Sequence, residues 1–373
     1  MRPDTEQELA QMVIGATGPL RIVGGGTRSF GVAQGEVLST AGLSGVTLYE
    51  PGALTLVVQA GTPLAEVEAL LAGEGQALPF EPMDHRVILG TQGTPTMGGM
   101  VAANVSGPRR ISVGACRDFL LGVRFVDGAG RVLKNGGRVM KNVTGYDLAR
   151  LLAGSHGTLG VLTEVSLKVL PVARASVTLV LDGLEPVRAV QALSRALGSP
   201  YEVSGAAHVA AGQARTLIRL EGFAASVRYR AERLCAALAE FGDWQVVPEA
   251  ADIWRDVRDV SALAGAGDIW RVSCRPSDAP GLAARVPGSD AVFDWGGGLI
   301  WLRAAPGTDV RAALGAFDGH ATLIRAAPDV KARLGVFPQS AAPLAAIEAG
   351  LRARFDPRGV FNAGLMAPAG GVI

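Results

Sequence analysis

The sequence predicts an α+β chain in which a glycine-rich domain of strands and turns precedes a strand-and-helix domain of different texture. Three observations predict it. Before Pro171 the chain breaks into short apolar runs separated by glycine-rich turns. After Pro171, apolar strands alternate with amphipathic helices, the pattern of a split βαβ, ferredoxin-like α+β layer. The length of 373 residues accommodates two or three domains with their own cores.

In order, residues 20–23 read as a strand running into Gly24, Gly25 and Gly26, and residues 54–60 (LTLVVQA) as a buried strand. Thr62 and Pro63 read as an N-cap and a first-turn proline. They open a helix, LAEVEALLAGEG, with Leu64, Val67, Leu70 and Leu71 on its apolar face and a stop at Gly73 or Gly75. Residues 119–126 and 131–134, joined by Asp127-Gly128-Ala129-Gly130, form a predicted hairpin. A long strand follows over 161–170. In the second domain VTLVLDG, TLIRLEG, IWRVSCR, AVFDW, LIWLRA and ATLIRA read as strands. Helices are expected at EPVRAVQALSRALG, SVRYRAERLCAALAEFG, near 278–286, near 308–317 and at 341–355. The predicted division is 1–171, 172–354, and a tail over 355–373 that returns toward the first domain.

Composition excludes several classes. Hydrophobic residues at 49% and a mean hydropathy of +0.29 exclude disorder and favour a surface partly covered by a partner. A net charge of +1 without a basic block gives nucleic acid no electrostatic footing. No run approaches the ~20 apolar residues of a membrane span. Cys116, Cys235 and Cys274 are scattered, which predicts a cytoplasmic location and no four-cysteine iron–sulfur ligation. The acidic N-terminus lacks the apolar core of a signal peptide.

Three segments carry chemistry. Gly24-Gly25-Gly26-Thr27-Arg28-Ser29 follows a strand, and consecutive glycines let backbone N–H groups crowd toward an anion. The segment does not match a dinucleotide-binding GxGxxG or a P-loop. A second glycine pair lies in Thr96-Met97-Gly98-Gly99-Met100, followed by Ala103 and Asn104. The two loops suit the two phosphates of one pyrophosphate, or equally a structural turn entering a small-residue helix. The third segment joins VMKNVTGYDL to GSHGTLGVLTEVSLKVLP, where Gly157 and Gly160 allow backbone near Val161 to approach a flat ring.

Taken together, GGGTRS, TMGGMVAANVSGPRR, SVGACRD and VMKNVTGYDL with GSHGTLGVLTEVSLKVLP resemble the PCMH-type, vanillyl-alcohol-oxidase-like FAD-binding flavoproteins. Within that family, the run from Gly98 to Pro171 is most similar to the FAD-binding E subunits of bacterial glycolate oxidases. The resemblance implies a two-subdomain FAD-binding fold followed by a ferredoxin-like cap, and FAD as cofactor. It implies FAD contacts from Gly24, Gly25, Gly26, Thr27, Arg28, Ser29, Met97, Gly98, Gly99, Ala103, Asn104, Gly114, Asp118, Gly157, Gly160 and Val161, with Asn362 returning from the tail. Many relatives tether FAD through a histidine after the first glycine loop; Thr27 and Arg28 stand there, so FAD is expected to be non-covalent.

Relatives that oxidise D-2-hydroxy acids carry a His-x-His metal cluster in the cap. The four histidines here, His85, His156, His208 and His320, lack that spacing, and no metal site is predicted. His156, inside an FAD segment, is the acid–base candidate. Arg28 and Lys141 suit negative charge on reduced flavin or pairing with a carboxylate. Trp254, Trp270, Trp295 and Trp301 read as core or interface anchors. The resemblance thus implies a subunit of a complex oxidising glycolate to glyoxylate, working with a sister FAD subunit that carries the hydroxy-acid site and with an iron–sulfur subunit. It is expected to be peripheral at the inner membrane only through partners. The alternatives are a self-sufficient FAD oxidase of a hydroxy acid or sugar lactone, and a flavin-free scaffold.

Overall fold

The computed structural model describes residues 1–28, 30–31, 33–138 and 145–366. Ser29 and Lys141, both candidates above, lie outside the described residues. Strand β1 (Leu20–Val23) pairs in parallel with β2 (Glu36–Ser39). An antiparallel five-stranded sheet carries β3 (Val46–Glu50), β4 (Thr55–Gln59), β8 (Val161–Lys168), β6 (Leu120–Val126) and β7 (Val132–Gly136), in that order. The short strand β5 (Gln76–Ala77) pairs with β9 (Leu170–Pro171). The predicted hairpin is β6–β7. The predicted 161–170 strand divides in two: Val169, fully buried, still donates to the Leu54 carbonyl beside β4, and Leu170 and Pro171 then pair with β5.

The helix Leu64–Gly73 buries Leu64, Val67 and Leu71, but Leu70 is 38% exposed. Leu70 lies about 100° around the helix from Leu71, beyond the buried stripe. Thr62 is not its cap. Pro63 takes that position, while Thr62 Oγ1 accepts from Gly45 N at 2.9 Å. Leu64 N donates to Pro95 O at 2.8 Å, tethering the helix entry to the second glycine loop.

The cap strands are β10 (Ala175–Asp182), β11 (Val203–Val209), β12 (Arg215–Gly222), β13 (Gln245–Pro248), β14 (Asp268–Cys274), β15 (Asp290–Asp294), β16 (Leu299–Ala304) and β17 (Gly319–Arg325). They form one antiparallel sheet in the order β13-β10-β12-β11-β15-β16-β14-β17. Each half is a βαββαβ unit with its first strand between its third and fourth. The cap is therefore two ferredoxin-like units joined edge to edge through β11 and β15, where His208 pairs with Phe293. The first half packs helices Pro186–Leu197 and Ala224–Ala237 on its outer face. Leu193, Leu234, Ile218 and Leu220 share that core.

In the second half, strand alternation splits the side chains. Trp270, Val272, Ile300, Leu302 and Leu323 join the helices Ala279–Ala284 and Val310–Leu314 in one core. Ile269, Leu299, Trp301 and Ile324 point the other way, into the core that holds Phe80, Met97 and Phe125. The second half-sheet thus lies directly on the first domain. Beyond it the chain returns: Phe361 bridges in parallel to Leu20, and Asp356, buried, accepts from Val360 N and Phe361 N at 3.0 and 2.7 Å. Among the described residues no helix is long and apolar enough to cross a membrane.

Candidate functional site

Two glycine-bearing segments are folded against one another. An added Cβ on Gly24 would overlap the Thr96 hydroxyl, and on Gly25 it would lie 2.6 Å from Thr94 C and overlap the carbonyl oxygen. Gly26 has φ +72°, a conformation that only glycine adopts without strain. From Gly24 to Arg28, no backbone N–H donates to an acceptor among the described residues. Buried or half-buried N–H groups need partners. Successive N–H groups without a partner among the described residues, in a glycine-rich bend, suit an anion. They line a recess of about 160 Å³ with Thr96, Gly99, Ala102 and Asn362.

Arg28 closes this recess. Its Nη1 would lie 3.5 Å from a Cβ on Gly99, while its Nε donates to His85 Nδ1 at 3.3 Å and its Nη2 to Met83 O at 3.4 Å. Burial lowers its pKa to about 10, with Asp84 opposing the shift, so Arg28 stays cationic. Thr27 is buried and its carbonyl accepts from Thr91 Oγ1 at 3.0 Å. On the far side, Asn362 accepts from Ile22 N and donates to His156 O, both at 2.8 Å. The tail asparagine therefore pins β1 to the third segment.

Through Phe30, Ala103 and His156 the recess shares its wall with a cavity of about 890 Å³ between the first domain and the cap. His85 and His156 both meet Phe30 edge-on, at 5.1 and 5.8 Å between ring centroids. His156 has φ +52° and donates its backbone N–H to Ala102 O. Burial, then the charge of Arg28, takes its pKa to about 4. The same two causes hold His85 well below the ordinary histidine range. Both rings are neutral at pH 7. His320 lines the opposite wall with Arg271, Trp295 and Trp301.

The remaining candidates divide. Asn104 lines the cavity and accepts from Arg117 N at 3.0 Å, while Ser106 Oγ accepts from Cys116 N at 3.0 Å. Gly114 and Asp118 sit behind that segment, with Asp118 Oδ2 accepting from Ala115 N at 2.9 Å. Met97 is fully buried core, and a Cβ on Gly98 would lie 2.7 Å from Ala60 Cβ. Gly157 packs on Asn362, Gly160 on Phe125, and Val161 on the core beside Leu20. Sequence reasoning missed His85, Arg110 and Arg271 as wall residues. It also read Trp295 and Trp301 as anchors only, whereas both face the cavity. The signal available for Arg271 was a charge in the middle of the apolar strand IWRVSC.

These residues fit FAD: a backbone cradle for the diphosphate, glycines admitting no side chain, and an adjoining cavity large enough for a flat ring. The fold and the cradle define a PCMH-type FAD-binding flavoprotein. The family described as FAD binding domain matches residues 1–136. Glycolate oxidase subunit GlcE of Escherichia coli (strain K12) is 38% identical over 353 residues, 93% of this chain and 92% of that protein. The chain belongs to the family of that subunit, among FAD-linked oxidoreductases. D-lactate dehydrogenase of Archaeoglobus fulgidus is 32% identical over 42% of this chain and 34% of its own length. Among solved structures, an alkyldihydroxyacetonephosphate synthase aligns over 98% of this chain and 76% of its own, with TM-score 0.68 and 15% identity, a likeness of fold.

Proposed function

We propose that this chain is the FAD-binding subunit of a multi-subunit oxidase of glycolate or a related 2-hydroxy acid, accepting or relaying electrons as glycolate becomes glyoxylate. The observation that carries the reading is the end-to-end match to the Escherichia coli subunit, over 93% of this chain and 92% of that protein. The expected partners are a sister FAD subunit with the hydroxy-acid site and an iron–sulfur subunit. Supporting this, the three free cysteines are scattered, and burial pushes the Cys116 thiol far up, leaving it inert packing. The reading includes a cytoplasmic location, with any membrane contact made through partners. It divides the chain into an FAD-binding unit to Pro171, a cap to residue 354 and the returning tail.

FAD, when bound, supplies a hydride acceptor that can pass electrons on singly. The chain's own residues hold and orient it. The free N–H groups of residues 24–28 receive phosphate oxygens, Arg28 adds charge beside them, and Gly99 leaves the space open. Thr27 and Arg28, standing after the glycines, support non-covalent attachment. Acid precipitation should release yellow FAD to the supernatant; flavin left on the denatured chain rejects that attachment.

One observation favours a second reading, a self-sufficient oxidase: His85, His156 and His320 line a single cavity. Glycolate-dependent dye reduction by the pure chain, against the chain mixed with its candidate partners, separates the two. The subunit reading expects turnover only in company. Full turnover by the pure chain, lost in His156→Ala, supports the second reading.

A further inference from the structure

The cap turns charge toward the first domain where its sheet would be expected to be apolar. On β14, Arg271 and Ser273 share the inner face with Ile269, and on β17, His320 and Thr322 share it with Ile324. Register sets Arg271 opposite Thr322 and Ser273 opposite His320. Ile269 and Ile324 are packed in the core common to both domains, so this face is interior, yet the four polar residues line the large cavity.

Arg110 reaches the same place from the first domain. Its guanidinium carbon lies 4.4 Å from the Trp295 ring centroid and that of Arg271 lies 5.3 Å from it. The indole is fixed by its Nε1 donating to Gly107 O at 3.0 Å. Among the described residues, the side chains of Arg110 and Arg271 make no hydrogen bond or ion pair. Arg219, on β12 four strands away in the same sheet, shows the usual solution: Glu81 accepts from both of its terminal nitrogens at 2.8 and 2.9 Å.

Charge in the cavity is one-sided. Arg110, Arg117, Arg271 and Arg352 line it, while the acid among its lining residues is Glu348, already bonded by Ser340 at 2.8 Å. Asp294 bears on Arg271, but burial raises its pKa to about 7, so it is only partly charged near neutrality. Asp118 acts on Arg110 through space, opposed by Arg117; two guanidiniums drawn into a cavity wall with no carboxylate bonded to them are unfavourable, and an anion relieves them.

We propose that Arg110 and Arg271, set against Trp295, form with Ser273, Thr322 and His320 a binding site for the carboxylate of a small 2-hydroxy or 2-oxo acid. The guanidiniums take the carboxylate. The two hydroxyls and the imidazole suit an oxygen on the carbon beside the carboxylate, a reach that the single tetrahedral shell of inorganic phosphate does not match. The proposal rests on the FAD reading only for what lies beside the bound acid; the anion site stands on the cap and Arg110, and it binds the acid while the oxidising site stays with the sister subunit.

The test is calorimetric titration of the full chain, FAD-loaded and FAD-free, with oxalate and separately with inorganic phosphate. Flavin absorbance, FAD content and melting temperature are followed in parallel. Wild type should bind oxalate more tightly than phosphate and shift the flavin spectrum. Arg271→Gln and Arg110→Gln, on different elements, should each weaken oxalate ~10-fold or more with FAD content kept and melting not lowered. Oxalate binding without any FAD binding keeps this site and rejects the FAD reading. The proposal is overturned if wild type ignores oxalate, if phosphate binds equally, if both variants bind oxalate as wild type does, or if they lose FAD instead.

Discussion

Replacing Gly25 by alanine tests the cradle with the smallest possible change. The new Cβ would lie 2.6 Å from Thr94 C, against an ordinary contact of about 3.4–4 Å, and would overlap the carbonyl oxygen. Both obstacles are backbone, so no side chain can rotate away. The two loops must part by about 1 Å or more, which takes N–H donors aligned near 2.9 Å beyond hydrogen-bonding range. Loss of two charge-assisted bonds at about 1.5–3 kcal/mol each weakens FAD by about 3–6 kcal/mol, or roughly 10²–10⁴-fold. The assay is FAD titration of apo-protein by flavin fluorescence, with circular dichroism to establish folding. Gly73→Ala, where no atom lies within 4 Å of the new Cβ, is the control and should bind normally. A folded Gly25→Ala protein with wild-type affinity would refute the reasoning, because FAD phosphates would then lie elsewhere.

Gly99→Asp should abolish FAD binding in a folded protein, since its carboxylate would face Arg28 and fill the recess; near-normal titration rejects this placement of the loop. Glu81→Leu should cost about 2–3 kcal/mol in thermal or urea unfolding by removing the carboxylate that holds both terminal nitrogens of buried Arg219, which keeps Glu221 at 3.3 Å; a loss below 1 kcal/mol rejects the pair as a domain tie. Burial alone would raise the Glu81 pKa, but Arg219 and Arg109 bring it below the ordinary value. Its contribution is therefore present above pH ~4.5 and lost as pH falls through the lower folded value. Asp294 runs the opposite way: burial raises it from 3.8 to about 7, so its contribution is full below pH ~4 and lost as pH rises through 7. That difference is on the order of 4 kcal/mol. Asp294→Asn should flatten the stability profile between pH 4 and 7 and be the more stable protein at pH 8; unchanged slopes reject the assignment.

Local chemistry was legible where one residue type admits one explanation. Gly24, Gly25 and Gly26 after an apolar strand announce a close backbone approach, and the structure supplies the neighbour, Thr94–Thr96. The same logic cannot tell a glycine needed by a ligand from one needed by a side chain: Gly98 lies against Ala60 and Gly160 against Phe125. The cap's alternation of strands and helices was readable, but its doubling was not. The two βαββαβ units share order and pairing, without a sequence repeat that would announce them. The cavity wall was hidden for a further reason. Arg110 and Arg271 belong to different domains and meet only through Trp295, so no spacing within either segment marks them.

The protonation states around the cavity narrow what these walls can do. His85 and His156 are neutral because burial and Arg28 both oppose a second positive charge beside them. With a pKa of about 4, His156 is a weak acceptor for a hydroxyl proton at pH 7, well below the near-neutral value that serves a general base. Asp294 does titrate near 7, but it is 4% exposed and its Oδ1 is taken up by Trp295 N at 2.7 Å. Against this, Arg110 and Arg271 in its wall and Arg28 in the adjoining recess give the cavity a positive potential. Such a wall favours anions, a bound carboxylate or the negative charge of a reduced flavin, more than it favours abstraction of a proton. That balance supports a subunit that receives and holds electrons over one that oxidises the hydroxy acid unaided.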